Sequence, residues 1–280
     1  MNLFKNRSLI IATKHAKEKV IAPIFEKKLG VKCFVDKSFD TDVLGTFTGE
    51  IERVDDPITT VRKKCMAAME KNNSDLGIAS EGSFGSHPSI FFAKANEEIL
   101  IFIDKKNDLE IIARELSTET NFNGQYIHST RALKDFCKEI DFPNHAVILR
   151  NEQNDNQKIV KGINNWEKLV SEYKLMTKKF EKVYVETDMR AMYNPTRMKN
   201  IENTAEKLVS KILNACPKCL MPGFSIISAQ KGLPCENCNL PTDSTLFYLY
   251  HCKHCLHETK EYFPRKIKFE NPMFCQICNP

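Results

Sequence analysis

Eight cysteines in the last 65 residues fall into four C-x-x-C pairs: Cys216 and Cys219, Cys235 and Cys238, Cys252 and Cys255, Cys275 and Cys278. This spacing lets both sulfurs of a pair converge on one ion, because the two intervening residues form a tight turn whose backbone N–H groups also reach the thiolates. Two pairs complete a tetrahedral four-cysteine site, so four pairs specify two structural Zn2+. The stretches between successive pairs are 15, 13 and 19 residues long. Joining consecutive pairs gives two zinc-ribbon spacings, and the spacing alone leaves the pairing open. Four thiolates leave no open coordination position, so such zinc stabilises a fold and does not carry out chemistry.

Chemistry is therefore sought in four polar stretches ahead of the cysteines. The first, ATKHAKEK at 12–19, follows an apolar run. There Thr13 can cap a helix while Lys14 and Lys17 meet a phosphate; a solvated basic first turn is the equal alternative. The second, GTFTGEIER at 45–53, continues to Thr59 and Arg62. Glu50 offers a hard oxygen for Mg2+ or Mn2+, with Arg53, Thr59 and Arg62 toward a polyphosphate; Glu50 and Glu52 equally read as an exposed pair. The third, SEGSFGSHP at 80–88, places Glu81 directly after a short buried strand, where a general base or metal ligand commonly sits, with Ser83 between two glycines. The fourth is ETDMRAMYNPTR at 186–197. In it Asp188 can bind metal and Arg190 or Arg197 can clamp an anion; a salt-bridged junction between two domains reads equally well.

The elements that must position these residues follow from hydrophobic periodicity. The spacing predicts a strand over 8–13, a helix over 14–29 ended by Gly30, and a strand over 31–35, the opening of a parallel sheet. A helix starting at Pro57 and a strand over 76–80 follow, then three alternating runs at 89–93, 98–103 and 109–116 that read as an antiparallel meander. Helices are predicted over 129–140, 166–180 and 195–214, and strands over 146–150, 159–163 and 183–186. The fold class is α/β, a mixed sheet with helices on its faces over 1–215, joined to a cysteine-rich zinc-ribbon module over 216–280.

Composition limits the alternatives. Hydrophobic residues make up 42% and charged residues 28% of the 280, and no run of about 18 apolar residues is present to span a membrane. The N-terminal run reads as a first strand, not a signal peptide, so the eleven cysteines point to a reducing, cytoplasmic setting where cysteine pairs bind metal. Cys33, Cys65 and Cys137, the three outside the knuckles, sit among apolar neighbours and read as small buried hydrophobes. Residues 216–280 carry seven Lys or Arg against five Asp or Glu. Two Zn2+ on eight thiolates bring that segment to about −2, against a strong phosphate footprint there. Even so, Tyr248, Tyr250, His251, Lys253 and His254 form an aromatic and basic run suited to RNA, DNA or a protein partner. A non-enzymatic binding module is thus the alternative to an enzyme.

The ATK strand end, the TGE-x-x-R stretch, the TTVRKKCMAAM helix and the strand into GIASEGSFG resemble, over residues 8–117, the inosine/xanthosine triphosphatases and related Maf-type pyrophosphatases. The resemblance implies an elongated mixed sheet with a nucleotide cleft between two lobes, and Mg2+-dependent attack of water on a nucleoside triphosphate with release of pyrophosphate. Thr13 and Glu81 transfer directly onto that pattern, Glu50 and Thr59 less closely. His15 stands where the group has Asn, and Glu18 takes the place of its Lys, between Lys17 and Lys19. As a whole, with SEGSFG, ETDMRA, NPTRM and a doubled zinc tail, the chain also resembles an uncharacterised bacterial family. The function read from the sequence is a metal-dependent hydrolase or transferase for a nucleotide or phosphorylated substrate.

Overall fold

In the computed structural model, which describes residues 3–39, 55–153 and 158–280, the apolar run SLIIA forms strand β1 (Ser8–Ala12). Helix α1 (Glu18–Leu29) crosses to β2 (Lys32–Phe34), which lies parallel to β1. Gly30 ends α1 at φ 69°, a left-handed conformation that glycine adopts without steric cost, and its N–H bonds Glu26 O. Helix α2 (Pro57–Lys71) starts on proline, and the Asp56 carboxylate accepts from the N–H groups of Ile58 at 2.9 Å and Thr59 at 3.1 Å. β3 (Leu76–Ser86) then returns parallel to β1, and β4 (Lys94–Asp104) and β5 (Leu109–Ser117) extend the sheet antiparallel, in the order β2-β1-β3-β4-β5.

This mixed sheet is covered on both faces. Val61, Cys65 and Met69 of α2 pack with Ile10, Ile99 and Ile101. Phe102, on the opposite face because side chains alternate along a strand, stacks against Phe25 of α1 with centroids 6.4 Å apart. A second, antiparallel sheet follows, built of β6 (Gly124–Ile127), β7 (Val147–Arg150), β8 (Ile159–Ile163) and β9 (Val183–Thr187) in the order β6-β9-β7-β8. Phe136 and Cys137 of α3 (Thr130–Glu139) and Leu169 and Met176 of α4 (Trp166–Thr177) bury its Val147, Leu149, Val183 and Val185. Helix α5 (Pro195–Leu213) ends the body. The chain divides into two units, Met1–Val209 and Ser210–Pro280. No helix among the described residues is long and apolar enough to cross a membrane.

Three local expectations are corrected. SEGSFG is not a loop after a strand: Glu81 to Ser86 continue β3, paired residue for residue with β4. Gly82 gives close approach to protein side chains, since a Cβ there would lie 2.3 Å from Nη2 of Arg197 and 2.7 Å from Oε1 of Glu98. The run at 89–93 is not a strand but the tip of the β3–β4 hairpin, where Nδ1 of His87 accepts from the N–H groups of Ser89 and Ile90 at 3.1 and 3.0 Å. Helix α1 starts at Glu18 and not at 14, with Lys17 at its N-cap, so Thr13 does not cap it. Strand β6, four residues long and opening on Gly124, has no periodicity to announce it.

Ser210–Pro280 contains a three-stranded antiparallel sheet, β10 (Ser225–Lys231), β11 (Thr245–His251) and β12 (Glu258–Tyr262). Its buried cluster is Cys216, Phe224 and Cys252, with Cys219, Tyr250 and Cys255 against it. In the larger unit, burial pushes the thiols of Cys33, Cys65 and Cys137 up to about 12, so they pack as hydrophobes.

Candidate functional site

The eight knuckle cysteines gather into two groups, Cys216, Cys219, Cys252 and Cys255, and Cys235, Cys238, Cys275 and Cys278. Alternate knuckles are therefore joined, first with third and second with fourth, and not consecutive ones. Across the groups Sγ–Sγ separations are 3.7 Å (Cys216–Cys255), 3.6 Å (Cys219–Cys252), 3.9 Å (Cys235–Cys278) and 3.7 Å (Cys238–Cys275). A Zn2+ with four thiolates at about 2.3 Å has tetrahedron edges of about 3.8 Å, so both groups are positioned to coordinate Zn2+. Each knuckle closes on the same bond: the N–H groups of Leu220, Asn239, Leu256 and Asn279 all donate at 2.9 Å to the carbonyl of the cysteine four residues earlier. Amide N–H groups also face the sulfurs, as from Asn237 to Cys235 Sγ at 3.4 Å.

In the larger unit a cleft of about 760 Å3 opens where the parallel strands β1 and β2 end. Thr13, Lys14, Ala16 and Glu18 line one side and Asp36, Lys37, Ser38 and Phe39 the other. The carboxyl ends of parallel strands are where such sheets bind ligands. Thr13 is only 7% exposed, and its Oγ1 is buried without a hydrogen-bond partner among the described residues. Asp36 accepts from the Ser38 hydroxyl at 2.7 Å and lies 3.1 Å from the Lys71 ammonium, which holds its carboxyl well below the usual range.

Behind this wall lies a buried charge cluster. The ammonium of Lys17 donates to Ser80 Oγ at 2.9 Å, Lys64 of α2 pairs with Glu81 of β3 at 2.6 Å, and Arg197 of α5 pairs with Glu98 of β4 at 2.7 Å. Burial first, then the nearby charge of Arg197, lowers the Lys17 amine to about 8. Arg197 also donates to Met189 O at 2.5 Å and lies over the Phe84 ring, 5.1 Å from its centroid. Gly82→Ala would press a methyl group between Arg197 and Glu98. It is expected to lower stability by about 1–3 kcal/mol in urea unfolding; an unchanged midpoint would contradict the packing described.

The structure thus brings Thr13 and Lys14 to one cleft and Lys17, Glu81 and Arg197 to the cluster behind it. Other candidates lie apart. Asp188, fully buried, accepts from Gly162 N at 3.0 Å and from Arg190, whose guanidinium lies over the Tyr193 ring. Arg62 makes two bonds to Glu110 of β5, at 2.8 and 2.7 Å. Thr59 sits in the first turn of α2. Ser83 lines a separate cleft of about 510 Å3 with Phe84, Glu97 and Arg114. Glu50 and Arg53 fall outside the described residues. In the cysteine-rich unit Tyr250 is already engaged, stacked on Phe224 and donating to Glu261 at 2.9 Å, and Lys260 lies over Phe247.

Lys64, Glu98, Asp36 and Ser38 are parts of these sites that the sequence did not single out. Glu98 stands in an apolar strand run, ANEEILIFI, whose partner is 99 residues distant, so no local pattern marks it. Fold and cysteine geometry together define an α/β protein with a C-terminal double four-cysteine, zinc-ribbon-like module. Residues 64–280 match the family described as a domain of unknown function, DUF6671, and the chain belongs to that family. No curated protein matches the chain. The matched span holds Lys64, Glu81, Glu98, Arg197 and all eight knuckle cysteines, and starts after the cleft residues of β1 and β2.

Proposed function

We propose that the larger unit is a metal-dependent hydrolase or transferase that takes a nucleotide or other phosphorylated small molecule into the cleft at the ends of β1 and β2. Thr13 carries this reading, because a buried hydroxyl without a partner among the described residues, in the wall of a cleft also lined by Lys14, Lys37 and Ser38, matches the donor set that receives phosphoryl oxygens. The volume suits a nucleotide-sized ligand. Glu18 and Asp36 supply carboxylates at the same cleft. Mg2+ or Mn2+ shared between one of them and the phosphates would neutralise charge as a P–O bond breaks. Glu81 is committed to Lys64, and in this reading it shapes the field behind the cleft without touching the metal. The sequence resemblance over residues 8–117 to the nucleoside triphosphate pyrophosphatases points to the same substrate class. A nucleic-acid grip by the cysteine-rich unit has less support, because Tyr250 and Lys260 are engaged within that unit.

The test is turnover of a nucleoside triphosphate panel with Mg2+ or Mn2+, alongside the shift in unfolding temperature each compound produces. Thr13→Val is expected to weaken binding or turnover by about 10- to 100-fold, the value of a hydrogen bond to a charged group. If no phosphorylated compound is turned over or shifts unfolding, the reading is wrong.

A further inference from the structure

The tip of the β3–β4 hairpin holds two adjacent aromatic rings out in solvent. Phe91 is 90% and Phe92 82% exposed, more than any other large apolar side chain among the described residues. Pro88 and Ile90 beside them are exposed as well. The two rings meet edge to face, with centroids 5.5 Å apart and planes at 88°. The backbone beneath them is closed on itself. His87 N–H donates to Ala93 O at 2.8 Å and Ala93 N–H to Ile90 O at 2.9 Å, while Nδ1 of His87 accepts from the N–H groups of Ser89 and Ile90. From Gly82 to Ala93, twelve residues in succession, the hairpin carries no Asp, Glu, Lys or Arg, and its first charge is Lys94, exposed at the start of β4.

These features select among occupants. A protein groove surrounds an aromatic anchor with a polar rim, and this tip offers none of the charges that would meet one. Stacked nucleic-acid bases need open ring faces, whereas here the edge of one ring lies against the face of the other. A lipid interface needs apolar side chains over a backbone whose polar groups are already paired, with no carboxylate to desolvate. We propose that the β3–β4 hairpin docks this protein on an anionic bilayer surface, with Phe91 and Phe92 in the acyl boundary and the Lys94 ammonium at the level of the lipid phosphates. Docking of this kind requires no spanning helix, because the protein lies on the bilayer and does not cross it. It is also independent of the cleft at Thr13. Two rings and one lysine give a reversible attachment, not an anchor.

The experiment is co-sedimentation of the full chain with vesicles of phosphatidylcholine alone and of phosphatidylcholine mixed with phosphatidylserine. The wild-type chain is expected to bind both, roughly 5-fold more tightly when phosphatidylserine is present, the value of one lysine near an anionic surface. Phe91→Ser with Phe92→Ser should weaken binding to both kinds of vesicle by about 10- to 100-fold. Both side chains are exposed, so the urea unfolding midpoint of this double variant should match the wild type, and the loss then reports contact and not folding. Failure of the wild-type chain to sediment with either vesicle overturns the proposal, as does a double variant that binds as tightly as the wild type. Light scattering and single-stranded RNA binding cover the other occupants. A wild-type dimer that the double variant breaks, or RNA binding that it abolishes, overturns the proposal when vesicles are not bound, and assigns the tip to a second copy or to nucleic acid.

Discussion

Stripping zinc with a chelator unfolds Ser210–Pro280 and leaves the helices of the larger unit in place. The cysteine-rich unit has almost no apolar core to fall back on: of the six residues in its buried cluster, four are the ligands of one ion. Structural Zn2+ in such modules contributes about 10–16 kcal/mol at neutral pH, far more than a core of Phe224 and Tyr250 supplies. Helical circular dichroism with amide exchange measures both halves of the prediction. Loss of exchange protection in β10–β12 with retained helix signal is expected; joint melting would show one cooperative fold. The alternate pairing has its own readout in bound zinc. Cys216→Ser with Cys252→Ser removes two ligands of one site and should leave one ion, whereas Cys216→Ser with Cys235→Ser damages both sites and should leave none. Consecutive pairing predicts the reverse.

Arg197→Met should cost about 3–5 kcal/mol, the largest effect expected of any single change in the body. Glu98 is fully buried, Arg197 is only 3% exposed, and their bond joins β4 to α5. Removing the guanidinium leaves a carboxylate whose other oxygen, Oε2, already has no hydrogen-bond partner among the described residues. It also removes the donor to Met189 O and the cation over Phe84. Urea unfolding measures the loss. Adding Glu98→Gln to Arg197→Met should recover a large part of it, because the uncompensated charge is then gone. A double variant no more stable than Arg197→Met alone would mean that the loss is one of packing, not of charge.

What the sequence made legible follows from range. The knuckles are local, four residues each, so the ligands and their number could be read directly. Which knuckle joins which depends on strands β10–β12 folding the chain across itself, and linker lengths of 13 to 19 residues permit either pairing. Helix starts with a chemical signature were likewise readable: Pro57 begins α2, Ser129 accepts from Ala132 N at 3.1 Å before α3, and Gly30 closes α1. SEGSFG misled because the apolar run stops at Ser80 and glycines beside an acid read as room for a ligand, while here Gly82 makes room for Arg197, 115 residues further on. The cleft was half visible. Thr13 and Lys14 stand at the end of an obvious strand, whereas Asp36 and Ser38 join them only because β2 lies parallel beside β1.

The most direct test of the central claim is a crystal structure of the full chain with a non-hydrolysable nucleoside triphosphate and Mg2+. The account predicts phosphoryl density in the cleft between Thr13 and Ser38, with the Thr13 hydroxyl donating to a phosphate oxygen. A nucleotide bound only on the cysteine-rich unit, with that cleft unchanged, would contradict it.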